Sequence, residues 1–188
     1  MSDIEKIIND AWENRKNISP ESDKKIIEAI NETIEQLDQG KIRTANRSPD
    51  GKWITNERAK KAILLSFRTN KMFTLTGPYA TWYSKVAGKT QGWTEKEHLE
   101  AGFRYEPNGM IRRGSYIAPG VVLMPSFVNI GAYVDSGTLL DTWCTVGSGA
   151  QIGKNCHLSG GVGIGGVLEP VQAGPTIIED GVFVGARS

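Results

Sequence analysis

From Ile111 to Ser188 the chain divides into thirteen blocks of six residues, and in most of them an aliphatic residue returns to one slot: Val122, Val128, Val134, Leu140, Val146, Ile152, Leu158 and Ile164. Four residues after each stands Ser126, Ala132, Thr138, Cys144, Ala150, Cys156, Val162 or Leu168, a second inward slot of smaller residues. A strand alternates its side chains in and out. An inward aliphatic, an inward small residue and a turn recurring every six residues therefore predict a hexapeptide β-helix with three flat faces per coil. The slot three residues after the aliphatic agrees, because Gly131, Gly137, Gly149, Asn155 and Gly161 tolerate positive φ in a tight corner. Pro125 and Trp143 depart from it, and the bulk of Trp143 at a glycine position predicts either backbone strain or a differently built turn. Between Val167 and Pro175 the frame breaks: Pro170 takes the aliphatic slot, and Ile178 and Val184 resume two residues out of phase. That predicts a loop extruded from the coil.

Upstream of the repeats the spacing is helical. Ile4, Ile7, Ile8, Ala11 and Trp12 share one face behind a Ser2-x-x-Glu5 capping pattern. Ser19-Pro20 is read as the cap and first position of a second helix carrying Ile26, Ile27, Ile30, Ile34 and Leu37 to a stop at Gly40, with Asn14 to Asn17 as the connection. Ser48-Pro49-Asp50-Gly51, between Ile42 and Trp53-Ile54, predicts a small hairpin. Asn56 caps a third helix through Ala59, Ala62, Ile63 and Phe67 to a stop near Asn70. Residues 70 to 93 have no clean period and are read as loop with local strand. Thr94-x-x-Glu97 opens a short helix ending at Gly102. The division that results is an α-rich unit over 1–102 and a β-helix over 103–188, with Arg104 at the junction.

Composition adds exclusions. With 188 residues, 39% hydrophobic content and a net charge of +1, the chain has the makeup of an ordinary globular protein. Its mixed charges offer no basic stripe for nucleic acid or anionic lipid, and no partner of either kind is expected. No apolar run approaches the roughly 20 residues that cross a bilayer, and the N-terminus lacks a signal-peptide order, so a cytoplasmic protein is expected. Cys144 and Cys156 both fall in the small inward slot, where they serve as core filler rather than as a disulfide. The two histidines, His98 and His157, give no trio for zinc, and His157, just before an inward leucine, reads as a hydrogen-bonded surface side chain.

Asp141-Thr142-Trp143 gathers an acid, a hydroxyl and an aromatic at one corner; from the residues alone, Asp141 is a turn cap, as Asp135 is one rung earlier. The glycine-rich run Gly160 to Gly166 is open enough for an anion to approach its amides, but no capped helix follows it and the six-residue frame already accounts for Val162 and Ile164.

The segment Pro125 to Asp135, then Asp141-Thr142-Trp143, Val146-Gly147-Ser148 and above all His157 to Pro170 closely resemble the tetrahydrodipicolinate N-succinyltransferases of bacterial lysine biosynthesis. Lys61 to Arg68 extends the resemblance into the helices. It implies a left-handed parallel β-helix, a homotrimer with active sites between subunits, and succinyl-CoA as co-substrate with neither metal nor permanently bound cofactor. The implied reaction moves a succinyl group to the amino group of ring-opened tetrahydrodipicolinate. Asp141 is then the residue that meets the amine, and neighbours or partial burial beside Trp143 would suit it to that task, or its role is chiefly orientation of the amine. Arg104 matches a position that binds substrate carboxylate, which its planar guanidinium fork suits. The glycine amides of 160–166 become candidates for an oxyanion or for CoA. The family's second catalytic carboxylate, a glutamate, comes directly after Gly185-Ala186-Arg187-Ser188, so the sequence is read either as a piece of a longer protein or as a chain that is not active by itself. The rival readings are an acetyltransferase on the same acceptor and a non-catalytic β-helical scaffold.

Overall fold

The structure, a computed structural model, describes residues 3–188; the Ser2 end of the predicted first cap lies outside them. Helix α1 (Asp3–Glu13) buries Ile8 and Ala11. Helix α2 (Lys24–Asp38) begins later than Ser19-Pro20 predicts, with the Asp23 carboxylate accepting from the Lys25 amide at 2.7 Å. The physical reason is that Ser19 and Ser22 close a turn on themselves: the Ser19 amide donates to Ser22 Oγ at 2.9 Å and the Ser22 amide to the Ser19 carbonyl at 3.1 Å. Proline thus sits in that turn and not in the first helical turn. Gly40 ends the run with φ 69°. The hairpin β1 (Ala45–Arg47) and β2 (Trp53–Thr55) forms around Ser48 to Gly51. Helix α3 (Glu57–Thr69) follows its Asn56 cap as expected. The stretch without a period holds a second antiparallel hairpin, β3 (Phe73–Thr76) and β4 (Thr81–Ser84). Helix α4 (Glu95–Ala101) has the predicted capping box and a left-handed Gly102.

Thirteen two-residue strands then wind through the rest of the described chain: β5 (Arg104–Tyr105), β6 (Met110–Ile111), β7 (Tyr116–Ile117), β8 (Val122–Leu123), β9 (Phe127–Val128), β10 (Tyr133–Val134), β11 (Leu139–Leu140), β12 (Thr145–Val146), β13 (Gln151–Ile152), β14 (His157–Leu158), β15 (Gly163–Ile164), β16 (Ile177–Ile178) and β17 (Phe183–Val184). They stack in three parallel sheets: a first face of β6, β9, β12 and β15, a second of β7, β10, β13 and β16, and a third of β5, β8, β11, β14 and β17. This is the expected parallel β-helix. In the regular part a residue meets its counterpart eighteen positions on, as Val134 meets Ile152 and Leu140 meets Leu158. From β6 to β15 each strand buries its second residue, and Val128, Val134, Leu140, Val146, Ile152 and Leu158 are fully buried. Packed side chains fill the prism.

The inward slot assigned to Val122 is a correction. Leu123 is the fully buried residue and pairs with Leu140, while Val122 stands outside against Leu139. Five residues, not six, separate Leu123 from Val128, because Met124-Pro125-Ser126 makes a shorter corner; Ile111, Ile117 and Leu123 therefore belong to a frame one residue out of step with the later coils. The predicted interruption after Ile164 is present. Residues 165 to 176 leave the first face and the chain re-enters the second, where Ile178 pairs with Ile152. Leu168, expected inside the coil, instead packs against the helical core.

The bundle of α1, α2 and α3 docks on the corner between the first and second faces, and the glycines there are required by proximity. A Cβ at Gly131 would come within 2.6 Å of Ile63 Cδ1 and one at Gly114 within 2.8 Å of Ile130 Cγ1. Ile130, a corner residue of the prism, belongs to the helical core. Polar ties complete the joint. Thr44 Oγ1 donates to the Gly149 carbonyl at 2.6 Å, and buried Gln151 joins Thr44 to Arg43. Asp38 receives Lys89 Nζ at 2.7 Å on one oxygen and the Gly114 amide at 2.7 Å on the other.

Candidate active site

The corner between the third and first faces is built differently from the one that faces the helices. Its left-handed positions include three that are not glycine, Asn108 (φ 68°), Trp143 (φ 61°) and Arg187 (φ 60°). Trp143 keeps the ordinary turn, its amide donating to the Pro125 carbonyl at 2.6 Å, and so takes the strained option of the two its sequence position allowed. Its ring is 67% exposed. Bulky residues held in this region of φ and ψ cost of order 1–3 kcal/mol each and gather where function holds them.

Asp141 opens this turn, directly after β11. One oxygen, Oδ1, accepts from the Thr142 amide at 2.6 Å and from Thr142 Oγ1 at 3.3 Å. That is the capping role predicted from the residues, and Asp135 does the same for Ser136 at 2.8 Å. The other oxygen distinguishes the two acids. Asp141 Oδ2 lies 3.8 Å from Nε2 of His157 on the next coil, both side chains being partly exposed. The sequence reading missed this pair, although its signal was present: Leu139 and His157 occupy equivalent positions one coil apart, which places Asp141, two residues on, diagonally across from the imidazole. The His157 ring also meets Phe183 edge-on, with centroids 5.1 Å apart. The Trp143 indole turns outward, and the Asp141 carboxylate stays partly exposed.

Cys144, next to this acid, is fully buried. Burial first, and the charge of Asp141 second, push its thiol up to about 12. It stays protonated near neutrality and offers no thiolate nucleophile.

Arg104 lies on β5 of the same face, its strand two coils from β11. Its Nε is 3.2 Å from Glu106 Oε1, and the side chain is 62% exposed. Such a surface pair is worth about 0–1 kcal/mol, so a substrate carboxylate can replace Glu106 at little cost. Arg104 and Asp141 thus share a face, each with a partner of its own. The amides of Gly161 and Gly163 are engaged by the carbonyls of Thr142 and Ser188 and are not available to an oxyanion. Gly166 has a steric duty, because a Cβ there would lie 2.4 Å from the Ser148 nitrogen. A cavity of about 310 Å³ lies elsewhere, between α2, α3 and the β3–β4 hairpin. Its cations are engaged: Lys71 by Glu21, Lys85 by the Phe67 carbonyl and Arg113 by Glu35. Among the described residues no group of three His, Cys, Asp or Glu side chains is placed to hold a metal ion, and no helix is long and apolar enough to cross a membrane.

A family profile described as tetrahydrodipicolinate N-succinyltransferase N-terminal matches residues 3–69. Proteins named 2,3,4,5-tetrahydropyridine-2,6-dicarboxylate N-succinyltransferase match throughout. The one from Pelagibacter ubique is 59% identical, over 100% of this chain and 69% of its own length. That from a Chelativorans species is 56% identical, over 98% of this chain and 66% of its own. The Parvibaculum lavamentivorans protein is 54% identical, over 100% and 68%. The chain spans about two thirds of the length of these relatives.

Proposed function

The chain belongs to the tetrahydrodipicolinate N-succinyltransferase family, and we propose that it carries the acceptor-binding part of an enzyme that moves succinyl from succinyl-CoA to the amino group of ring-opened tetrahydrodipicolinate. The observation that carries this reading is the identity extending along the whole chain to proteins so named, joined to a carboxylate fixed on the same face as an exchangeable arginine.

The chemistry assigns the parts. The substrate amine arrives as an ammonium and must lose a proton before its nitrogen attacks the thioester carbonyl. The new N–C bond forms, the C–S bond breaks, and the thiolate leaves as CoA once protonated; one proton is released overall. Asp141, held by Thr142 at Oδ1, presents its remaining lone pairs to the ammonium and accepts a proton as the bond forms. A carboxylate is a weak base for an ammonium, so a large share of its effect is alignment of the nitrogen with the carbonyl carbon. Arg104 exchanges Glu106 for a carboxylate of the acceptor, a geometry its guanidinium suits. The partly exposed position of both residues is what a site completed by a second copy in a homotrimer requires.

Incubation of the intact protein with tetrahydrodipicolinate and succinyl-CoA should release free thiol, and absence of release would overturn the proposal. At matched concentration acetyl-CoA should be turned over at least tenfold more slowly, a difference of about 1.4 kcal/mol or more, if a pocket receives the extra carboxylate. Asp141→Asn should lower kcat about a hundredfold or more with the assembly intact, as loss of an acid–base group does.

A further inference from the structure

We propose that His157 is a positioning residue whose Nε2–H holds the Oδ2 atom of Asp141, so that this carboxylate is fixed at both oxygens before the acceptor arrives. The proposal rests on the reading of Asp141 as the group that meets the amine.

Its informative atom is Nε2 of His157, which is buried and has no hydrogen-bond partner, although the side chain as a whole is 41% exposed. A buried polar atom left unpaired costs about 1–3 kcal/mol, and the acceptor this one faces is Asp141 Oδ2 at 3.8 Å. A neutral imidazole carries its hydrogen on one nitrogen. With Nε2 bare, two acceptors would confront each other; with the hydrogen on Nε2, a donor confronts a carboxylate. A shift of about 1 Å brings the pair to charge-assisted hydrogen-bond distance, as catalytic contacts commonly tighten when substrate binds. The ring is steered from above by the edge of Phe183. The backbone beneath is set by the Asp141 amide, which donates to the Leu158 carbonyl at 2.9 Å.

The surroundings leave this pair to itself. Strand β17 above contributes Phe183 and β8 below contributes Val122, neither of which titrates. The following turn contributes Cys144, neutral near pH 7, and β5 contributes Arg104, which is paired with Glu106. A donor at Oδ2 fixes the second oxygen of a carboxylate already held at the first, so removal of His157 should loosen the alignment of Asp141 with the acceptor nitrogen.

The test is steady-state kinetics on the intact enzyme. His157→Ala should lower kcat about ten- to a hundredfold with KM for succinyl-CoA little changed. His157→Gln, whose amide nitrogen can stand near Nε2, should restore most of kcat. In an Asp141→Asn background His157→Ala should cost nothing further. If the alanine variant does not fold, His157→Asn, which falls short of Oδ2, takes its place with the same expected results. An unchanged kcat in the alanine variant, a glutamine variant no more active than the alanine one, or a loss that adds in full to that of Asp141→Asn, overturns the proposal. Full activity of Asp141→Asn would remove the underlying reading of Asp141 instead, and the role of His157 with it.

Discussion

Trp143 holds a left-handed backbone with φ 61° while its ring is turned out to solvent, a combination that a bulky side chain adopts at a cost of about 1–2 kcal/mol. Trp143→Gly relieves that cost and should raise stability by about 1 kcal/mol, or roughly 2–4 °C in Tm for a chain of this size; scanning calorimetry reads it. A fall in Tm would instead show that the indole packs against a neighbouring copy. Cys144 makes a second prediction at this scale. Its thiol, pushed up to about 12, and that of buried Cys156 should resist alkylation at pH 8 in the native state and react once the chain is unfolded in urea, as mass spectrometry would count. At this scale the sequence separates poorly between Asp135 and Asp141. Both cap a turn with one oxygen, and the difference lies in what the neighbouring coil brings to the second.

Among the elements, the extruded loop of residues 165 to 176 is tied to α3 by one buried cation. Lys60 is inaccessible to solvent, and its Nζ donates to the carbonyls of Ala173 at 2.7 Å and Pro170 at 3.2 Å. Lys60→Met fills the volume but leaves those carbonyls unpaired, so it should cost about 1–3 kcal/mol and open the loop to limited proteolysis while the coils stay protected. Burial, opposed by Glu57, holds the Lys60 ammonium below its ordinary range. Above that lowered value the unfolded chain binds more protons than the folded one. This group therefore makes stability rise with pH from its folded pKa up to the unfolded value near 10.4, and wild type should gain on the methionine variant over that alkaline window in urea titrations. The loop itself was legible because Pro170 broke the six-residue count; its anchor was not, because nothing about Lys60 in a helical pattern separates a buried lysine from a solvated one. The β-helix was legible for the opposite reason. Its period repeats often enough that one short corner, at Met124-Pro125-Ser126, displaced a single assignment, Val122 for Leu123, and left the architecture unaffected.

For the whole molecule, the joint between helices and prism sets how the chain unfolds. Asp38 serves Lys89 and the Gly114 amide at once, and the ion pair is little exposed, at 7% and 16%. Removing one partner of a shielded pair leaves the other charge uncompensated, so Asp38→Ala should lower stability by about 3 kcal/mol in chemical denaturation. The helices should then melt before the prism, splitting one transition into two. The loop beside that joint has a different consequence. Ile178 lies on Ile152 as squarely as Ile152 lies on Val134, so the stack closes over a twelve-residue excursion without a change of pitch. A tower of this kind admits a new balcony at that edge without rebuilding its floors. Foreign peptide spliced between Pro170 and Ala173 would leave the masonry standing and loosen only its tether to Lys60.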